Sequence, residues 1–200
     1  MTALAIIAVS VTAQSKMPKS ATEAKPLKAG IMAPDAQIKN IDGKATTVKS
    51  ALGGKPTVVV FYRGGWCPFC NAHLAELGRS YGELTKLGYQ LFAISPDASA
   101  ALKKTLGDNQ ITYRLYSDSK AEAMIKFGVA YRLNDNDYGQ YKKMAGVDLE
   151  TYSGAKHHVL PVPSVFIINK TGKIVFVHSD PNYRLRLSGR DLIAAAKKNR

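Results

Sequence analysis

The only two cysteines of the chain stand three positions apart in Trp66-Cys67-Pro68-Phe69-Cys70, and the tryptophan before them is also the only one. Two thiols at that spacing can close a redox disulfide or supply half of a metal site. A tetrahedral zinc site normally takes four ligands. The histidines that could complete it are His73, three residues past Cys70, and His157, His158 and His178, far along the chain and not at finger spacing. No metal site is expected. His73 reads as a surface or packing residue, and His157–His158 as a chance pair in a loop.

The redox reading has more physics behind it. A strand that ends at Gly64-Gly65 puts Cys67 at the mouth of the next helix. Unpaired N–H groups and the helix dipole there favour a thiolate over a thiol. Pro68 suits the first helical position, where no N–H is needed. Cys70 follows three residues on, on the same face, close enough to close a disulfide. Cys67 is then the exposed attacker and Cys70 the buried resolver. Lowering a thiol from ~8.5 to ~6.5 raises its thiolate fraction at pH 7 about 25-fold. Intrinsic nucleophilicity falls about 8-fold over the same change, so the net gain is about 3-fold. Leaving-group quality and the placement of Cys70 matter more.

The elements that must hold this pair follow from the apolar pattern. Residues 57–62 (TVVVFY) form a continuous apolar run, as in a strand buried on both faces. From Phe69 to Leu87, Leu74, Leu77, Tyr81, Leu84 and Leu87 recur at helical spacing, and Gly88 closes the helix. Residues 89–95 give a second buried strand, 98–106 a helix, 112–117 a short strand and 119–127 a helix stopped by Gly128. Residues 129–160 read as a loop-rich insertion, helical in part over 135–144 and loop over 150–158. Two strands then flank Lys170-Thr171-Gly172-Lys173 as a hairpin. Ser188 caps a last helix, with Asp191 three residues on. Ahead of the first central strand, Asp42-Gly43 marks a smaller hairpin. This order predicts an α/β sandwich, a mixed central sheet with helices on both faces.

At 200 residues, 46% hydrophobic and 22% charged, the chain suits one domain with a tail. The net charge of +13 is spread from Lys16 to Arg200 without a long block, which reads as a basic solvated surface that favours acidic partners or anionic membrane surfaces. No nucleic-acid module and no apolar run of the ~18 residues that span a membrane is present, so neither nucleic acid nor stable membrane insertion is expected. At the front, an apolar stretch from Ala3 ends in Val11-Thr12-Ala13, which fits a secretory cleavage site. Residues 1–13 are therefore expected to be a signal peptide, 14–28 a flexible linker and 29–200 the domain. That places the mature protein in an exported setting, periplasmic or extracellular, or in the cytoplasm if 1–13 is not a signal.

The pieces 29–35 (AGIMAPD), 42–44 (DGK), 53–70 (GGKPTVVVFYRGGWCPFC), 91–97 (LFAISPD), 160–174 (LPVPSVFIINKTGKI) and 180–186 (DPNYRLR) resemble the peroxiredoxin-like branch of the AhpC/TSA family, within the thioredoxin superfamily. The resemblance covers nearly all of residues 29–198. It implies a thioredoxin fold, Cys67 as the attacking cysteine and Cys70 as its disulfide partner. It places Pro163 where such folds carry a cis-proline, with Val162 aimed at the substrate. Trp66, Pro68 and Phe69 shape the rim. Two departures stand out: Gly64 occupies the position of the usual Thr or Ser, and Pro163 that of the usual Arg. Arg63 is the expected substitute for that charge, whereas Arg184 and Arg186 read as solvated arginines.

The reading is thus a thiol–disulfide oxidoreductase or thiol-dependent peroxidase, needing no metal, flavin or haem. Its substrate is a peroxide or a protein disulfide, and a thioredoxin-like dithiol donor resets it. The departures favour disulfide exchange over peroxide. The reading from a different class is a non-enzymatic thioredoxin-fold binding module whose CxxC is a structural disulfide.

Overall fold

The computed structural model describes residues 17–109 and 111–200, with the side chains of 144 and 145 excepted. The expected signal segment, 1–13, lies outside them.

The apolar runs form strands because each alternate side chain has an opposite face to fill. In β3 (Thr57–Phe61), Val58 and Val60 point to one layer while Val59 and Phe61 point to the other. The same division holds in β4 (Gln90–Ser95), with Leu91 and Ala93 against Phe92 and Ile94, and in β8 (Ser164–Ile168), with Val165 and Ile167 against Phe166 and Ile168. These three strands are the middle of a seven-stranded sheet ordered β2-β1-β5-β4-β3-β8-β9. The outer strands are β1 (Gln37–Lys39), β2 (Ala45–Thr47), β5 (Arg114–Ser117) and β9 (Ile174–Ser179). β3, β4 and β5 run parallel; β8 pairs antiparallel with β3, β9 with β8, and β1 with β5 and β2.

Helices cover both faces. α2 (Pro68–Lys86), α3 (Ser99–Asp108) and α7 (Gly189–Lys198) pack on one side through Leu74, Leu77, Leu84, Leu102, Leu192 and Ile193. A short α1 (Val48–Leu52), absent from the sequence expectation, and α4 (Glu122–Lys126) cover the other through Val48, Leu52 and Met124. This is the thioredoxin fold with its mixed central sheet. Among the described residues no helix is long and apolar enough to cross a membrane.

Two expectations are corrected. Residues 129–160 are more ordered than a loop-rich insertion. β6 (Ala130–Arg132) pairs with β7 (Val159–Pro161), α5 (Asp135–Ala145) spans the helical stretch, and α6 (Leu149–Ser153) takes half of the segment read as loop. Asp148 makes the difference: its side chain accepts the N–H groups of Glu150 and Thr151 and caps a turn too short for periodicity to reveal. The expected flexible linker is, from Met17 on, laid against the body. The Pro18 carbonyl accepts from Arg132 N, and Leu27 N donates to the Phe127 carbonyl. Ala21 and Ala24 join a third apolar cluster with Tyr131, Leu133, Leu149, Leu160 and Val162, and Trp66 is shared between this cluster and the main core.

Candidate active site

β3 delivers the chain through Tyr62 and Arg63 to a tight turn at Gly64-Gly65. Gly64 has φ +148°, where an L side chain is strained. A Cβ there would collide with the Trp66 indole nitrogen and lie 2.8 Å from Asp97 Oδ1, and a Cβ on Gly65 would collide with Thr105 Oγ1. The Gly65 N–H donates to Asp97 Oδ2 at 2.7 Å. The missing Thr or Ser is therefore excluded by the way the turn packs on Trp66 and Asp97.

Cys67 is the N-cap of α2, with Pro68 at the first helical position. Both cysteines are free thiols. The expected exposed attacker is corrected: Cys67 and Cys70 are each only 1% exposed. The Cys67 N–H is not free for a substrate oxygen either, because it donates to the Gly64 carbonyl at 3.1 Å. The sulphurs differ in charge preference. The Cys70 thiol donates to Cys67, and this hydrogen bond leads the causes that lower Cys67 to about 6; burial opposes it, while Arg63, the Cys70 N–H and Arg186 help. Burial, then the donated hydrogen bond, push Cys70 well above its ordinary value. The first sulphur is a thiolate near neutral pH, and the second holds its proton.

Arg63 is the centre of the site. It is 3% exposed, and its Nη1 lies 3.9 Å from Cys67 Sγ. Its Nη2 donates to the Tyr141 hydroxyl. The guanidinium sits over the rings of Tyr183 at 4.2 Å, Trp66 at 4.9 Å and Tyr141 at 5.3 Å. Desolvated contacts of this kind are worth up to about 2 kcal/mol each and offset the burial of the cation. Among the described residues no carboxylate pairs with Arg63, and its Nε–H is buried without a partner. The anion beside this cation is the Cys67 thiolate itself, and the Nε–H remains for a further acceptor.

The cover over Cys67 comes from two places the sequence did not connect to it. Tyr141 is carried by α5, which gives the insertion its role at the site, and Tyr183 by the segment between β9 and α7. Together with Trp66, Pro68, Phe69 and Gln140 they wall an open cavity of about 490 Å³ that reaches Cys67 and Arg63. Phe69 is 43% exposed at its rim and packs edge-on to Tyr183 at 5.7 Å. Arg184 lies over Phe69 at 5.6 Å. Arg186, read from sequence as a solvated arginine, instead places Nη2 3.7 Å from Cys70 Sγ.

Val162 and Pro163 are also corrected. Their peptide bond is trans, since the described residues contain no cis bond. Val162 is 1% exposed; its N–H donates to the Val129 carbonyl and its carbonyl accepts from Ser164 Oγ, both at 2.8 Å. That backbone is spent inside the protein and offers no edge to an extended peptide. His73, His157 and His158 are structural. His73 donates from Nε2 to the Leu187 carbonyl at 3.0 Å, and burial holds it down at about 4. His157 contacts the Ser119 carbonyl, and His158 contacts Glu150 and stacks on Tyr138.

One titratable group escaped sequence reasoning. Asp97 is 1% exposed beneath the turn, with Oδ1 unpartnered. Burial raises it to about 7 despite the Gly65 N–H and Ser95, and the nearby Cys67 charge adds to the rise. It falls in a matched family stretch, 91–97, which was the available signal.

A lowered thiolate at a helix mouth, a second thiol one turn in and an arginine over the first sulphur define a dithiol oxidoreductase of the thioredoxin fold. Residues 29–177 match the AhpC/TSA family, and the chain belongs to it. It is 30% identical over 152 residues to a putative peroxiredoxin bcp of Haemophilus influenzae, covering 76% of this chain and 86% of that one. It is 32% identical over 100 residues to the chloroplastic peroxiredoxin Q of Suaeda salsa, covering 50% of this chain and 46% of that one. In fold it is similar to the crystal structure of peroxidoxin BcpB from Mycobacterium tuberculosis, with TM-score 0.66 at 18% identity over 87% of this chain and 99% of that one.

Proposed function

We propose that the chain is a thiol-dependent peroxidase, with peroxide rather than protein disulfide as its first substrate. The observation that carries this is the burial of Cys67 beneath a caged arginine. A small hydroperoxide reaches the sulphur through the cavity, whereas a folded protein disulfide does not. This reverses the preference for disulfide exchange drawn from the missing Thr/Ser and Arg. The Cys67 thiolate attacks one peroxide oxygen, the O–O bond breaks, and the sulphur becomes a sulfenic acid. The other oxygen leaves as an alkoxide that takes up a proton to give the alcohol. Arg63 supplies the charge for that leaving oxygen, and its free Nε–H the added donor. Cys70 then displaces hydroxide from Cys67, which leaves as water and closes a Cys67–Cys70 disulfide. A thioredoxin-like dithiol donor takes the two oxidising equivalents, which requires the Tyr141 and Tyr183 cover to move aside in the oxidised protein. The chemistry invokes no metal, flavin or haem. The binding-module reading is not favoured, because a structural staple has no use for a lowered thiol beneath an arginine.

The test compares turnover of hydrogen peroxide and cumene hydroperoxide with reduction of insulin disulfides, using one dithiol donor throughout. Peroxide turnover should exceed insulin reduction and vanish in Cys67→Ser. Insulin reduction outpacing peroxide turnover would overturn the reading. We also assign residues 1–13 as an export signal, with the mature chain beginning at Gln14. The motive is the apolar stretch ending in Val11-Thr12-Ala13. N-terminal sequencing of protein from its native host tests this, and an intact Met1 would overturn it.

A further inference from the structure

The peroxide step engages Arg63 directly, and the second arginine of the site only adds to the lowering of Cys67. Arg186 is half-buried in the segment before α7. Its Nη2 lies 3.7 Å from Cys70 Sγ and its Nη1 donates to the Leu185 carbonyl at 3.0 Å. The frame behind it is fixed. Leu187 packs in the same core cluster as Cys70 and Leu74, its carbonyl accepts from His73, and Ser188 caps α7. The backbone that carries Arg186 is therefore anchored on its C-terminal side.

Cys70 needs such a partner. Burial disfavours its thiolate, yet only a thiolate attacks the oxidised Cys67 efficiently. The groups that face it are Cys67 from the helix mouth, the Arg63 backbone N–H and guanidinium, Tyr62 from the end of β3, Tyr131 from β6, and Arg186. Of these, the Cys67 thiolate opposes a charge on Cys70, while both tyrosines stay neutral there. Arg186 is the one whose side chain brings a cation within contact of its sulphur.

We propose that Arg186 is the catalytic arginine of the second half-reaction: it holds Cys70 as a thiolate while Cys70 attacks the oxidised sulphur of Cys67. Each sulphur then has one arginine in contact with it, Arg63 on Cys67 for peroxide cleavage and Arg186 on Cys70 for resolution. Where Cys67 is a sulfenic acid, the S–O bond breaks as the S–S bond forms. The thiol proton of Cys70 and the departing hydroxide leave together as one water. The proposal rests on the dithiol reading above, and its test is arranged to stand apart from the peroxide half of that reading.

The test uses the full chain, reduced and then mixed with one equivalent of 5,5′-dithiobis(2-nitrobenzoic acid). Cys67 attacks first and releases one thionitrobenzoate. Cys70 then displaces the second from the mixed disulfide, so a second coloured phase reports attack by Cys70 without any peroxide. In Arg186→Met the first phase should stay within about twofold. The second should slow about tenfold at pH 7, with its pH profile moved up by about one unit, since tenfold in thiolate is one pH unit. Arg186→Lys should recover most of the rate, and Cys70→Ser should lack the second phase. An unchanged second phase in Arg186→Met, or equal slowing of both phases, overturns the proposal. If Arg186→Met does not fold, the wild-type profile decides. In the mixed disulfide Cys67 carries no charge and no longer takes the Cys70 proton, so two of the causes that raise Cys70 are gone; half-maximal attack below about pH 8 then supports a thiolate held against burial, and half-maximal attack above about pH 9 refutes it. A protein that ignores hydroperoxides yet shows these phases refutes the peroxidase reading and leaves Arg186 standing.

Discussion

Replacing Arg63 by methionine separates two ways in which it could act on Cys67. At 3.9 Å, a unit charge pair in an effective dielectric of 20 is worth about 4 kcal/mol as an upper bound. The fall of Cys67 from 9.0 to about 6 is shared among Arg63, the Cys70 thiol and N–H, and Arg186, against burial, with the Cys70 thiol first. One third of that fall is about one pH unit, or about 1.4 kcal/mol. Losing it moves Cys67 to about 7 and lowers the thiolate at pH 7 from about 90% to about 50%, less than twofold. Losing a donor to the oxygen that departs costs about 100- to 1,000-fold. The expectation is therefore a fall of at least about 100-fold in the second-order rate of peroxide oxidation. It should persist at pH 9, where the thiolate is fully formed in both proteins. Stopped-flow Trp66 fluorescence gives the rate, and iodoacetamide labelling against pH gives the thiol titration. A variant that regains the wild-type rate at pH 9 would show that Arg63 only tunes the thiol, and the assignment of the leaving oxygen to it would fail.

Three further outcomes follow from the same geometry. Asp97 is raised in the folded state to about 7, so its contribution to stability is fully present below its unfolded value near 3.8 and is lost as pH rises through about 7. Asp97→Asn should lack this slope and should exceed the wild type at pH 8 by roughly 2–4 kcal/mol, with the gap closing near pH 4 in denaturant titrations; a gap independent of pH would contradict the burial of an ionising carboxyl. Gly64→Thr, which restores the missing family hydroxyl, should lower stability by about 2 kcal/mol or more without raising peroxide turnover, because φ +148° and the Trp66 and Asp97 contacts leave no place for a side chain. Tyr141→Ala should uncover Cys67 and raise its reaction with a bulky disulfide more than with hydrogen peroxide; equal changes in the two would show that Tyr141 is not the cover.

The parts of this fold legible in the sequence were those set by long patterns. Continuous apolar runs marked β3, β4 and β8, and helical spacing marked α2 together with the position of Cys67 at its mouth. Two short helices escaped. α1 and α6 have five residues each, too few for a period to register, and both depend on caps. In the site, Cys67, Cys70 and Arg63 were readable because they are neighbours on the chain. Tyr141, Tyr183, Asp97 and Arg186 were not, because they reach the dithiol from separate segments brought together by tertiary packing. Arg186 in particular looks like any surface arginine until Leu187 is seen buried beside Cys70. Val162 and Pro163 failed for a related reason. Sequence cannot tell that the Val129 carbonyl takes the N–H a substrate would need.

The central claim is that Cys67 and Cys70 together remove one peroxide per dithiol. Its most direct measurement is a titration of the fully reduced protein with cumene hydroperoxide, following thiol loss and intact mass. One equivalent should consume both thiols, lower the protein mass by two hydrogens as the Cys67–Cys70 disulfide closes, and release one cumyl alcohol. Cys70→Ser should instead gain one oxygen on Cys67 at a similar rate. Thiols that survive excess hydroperoxide, or oxidation that proceeds equally in Cys67→Ser, would contradict the account.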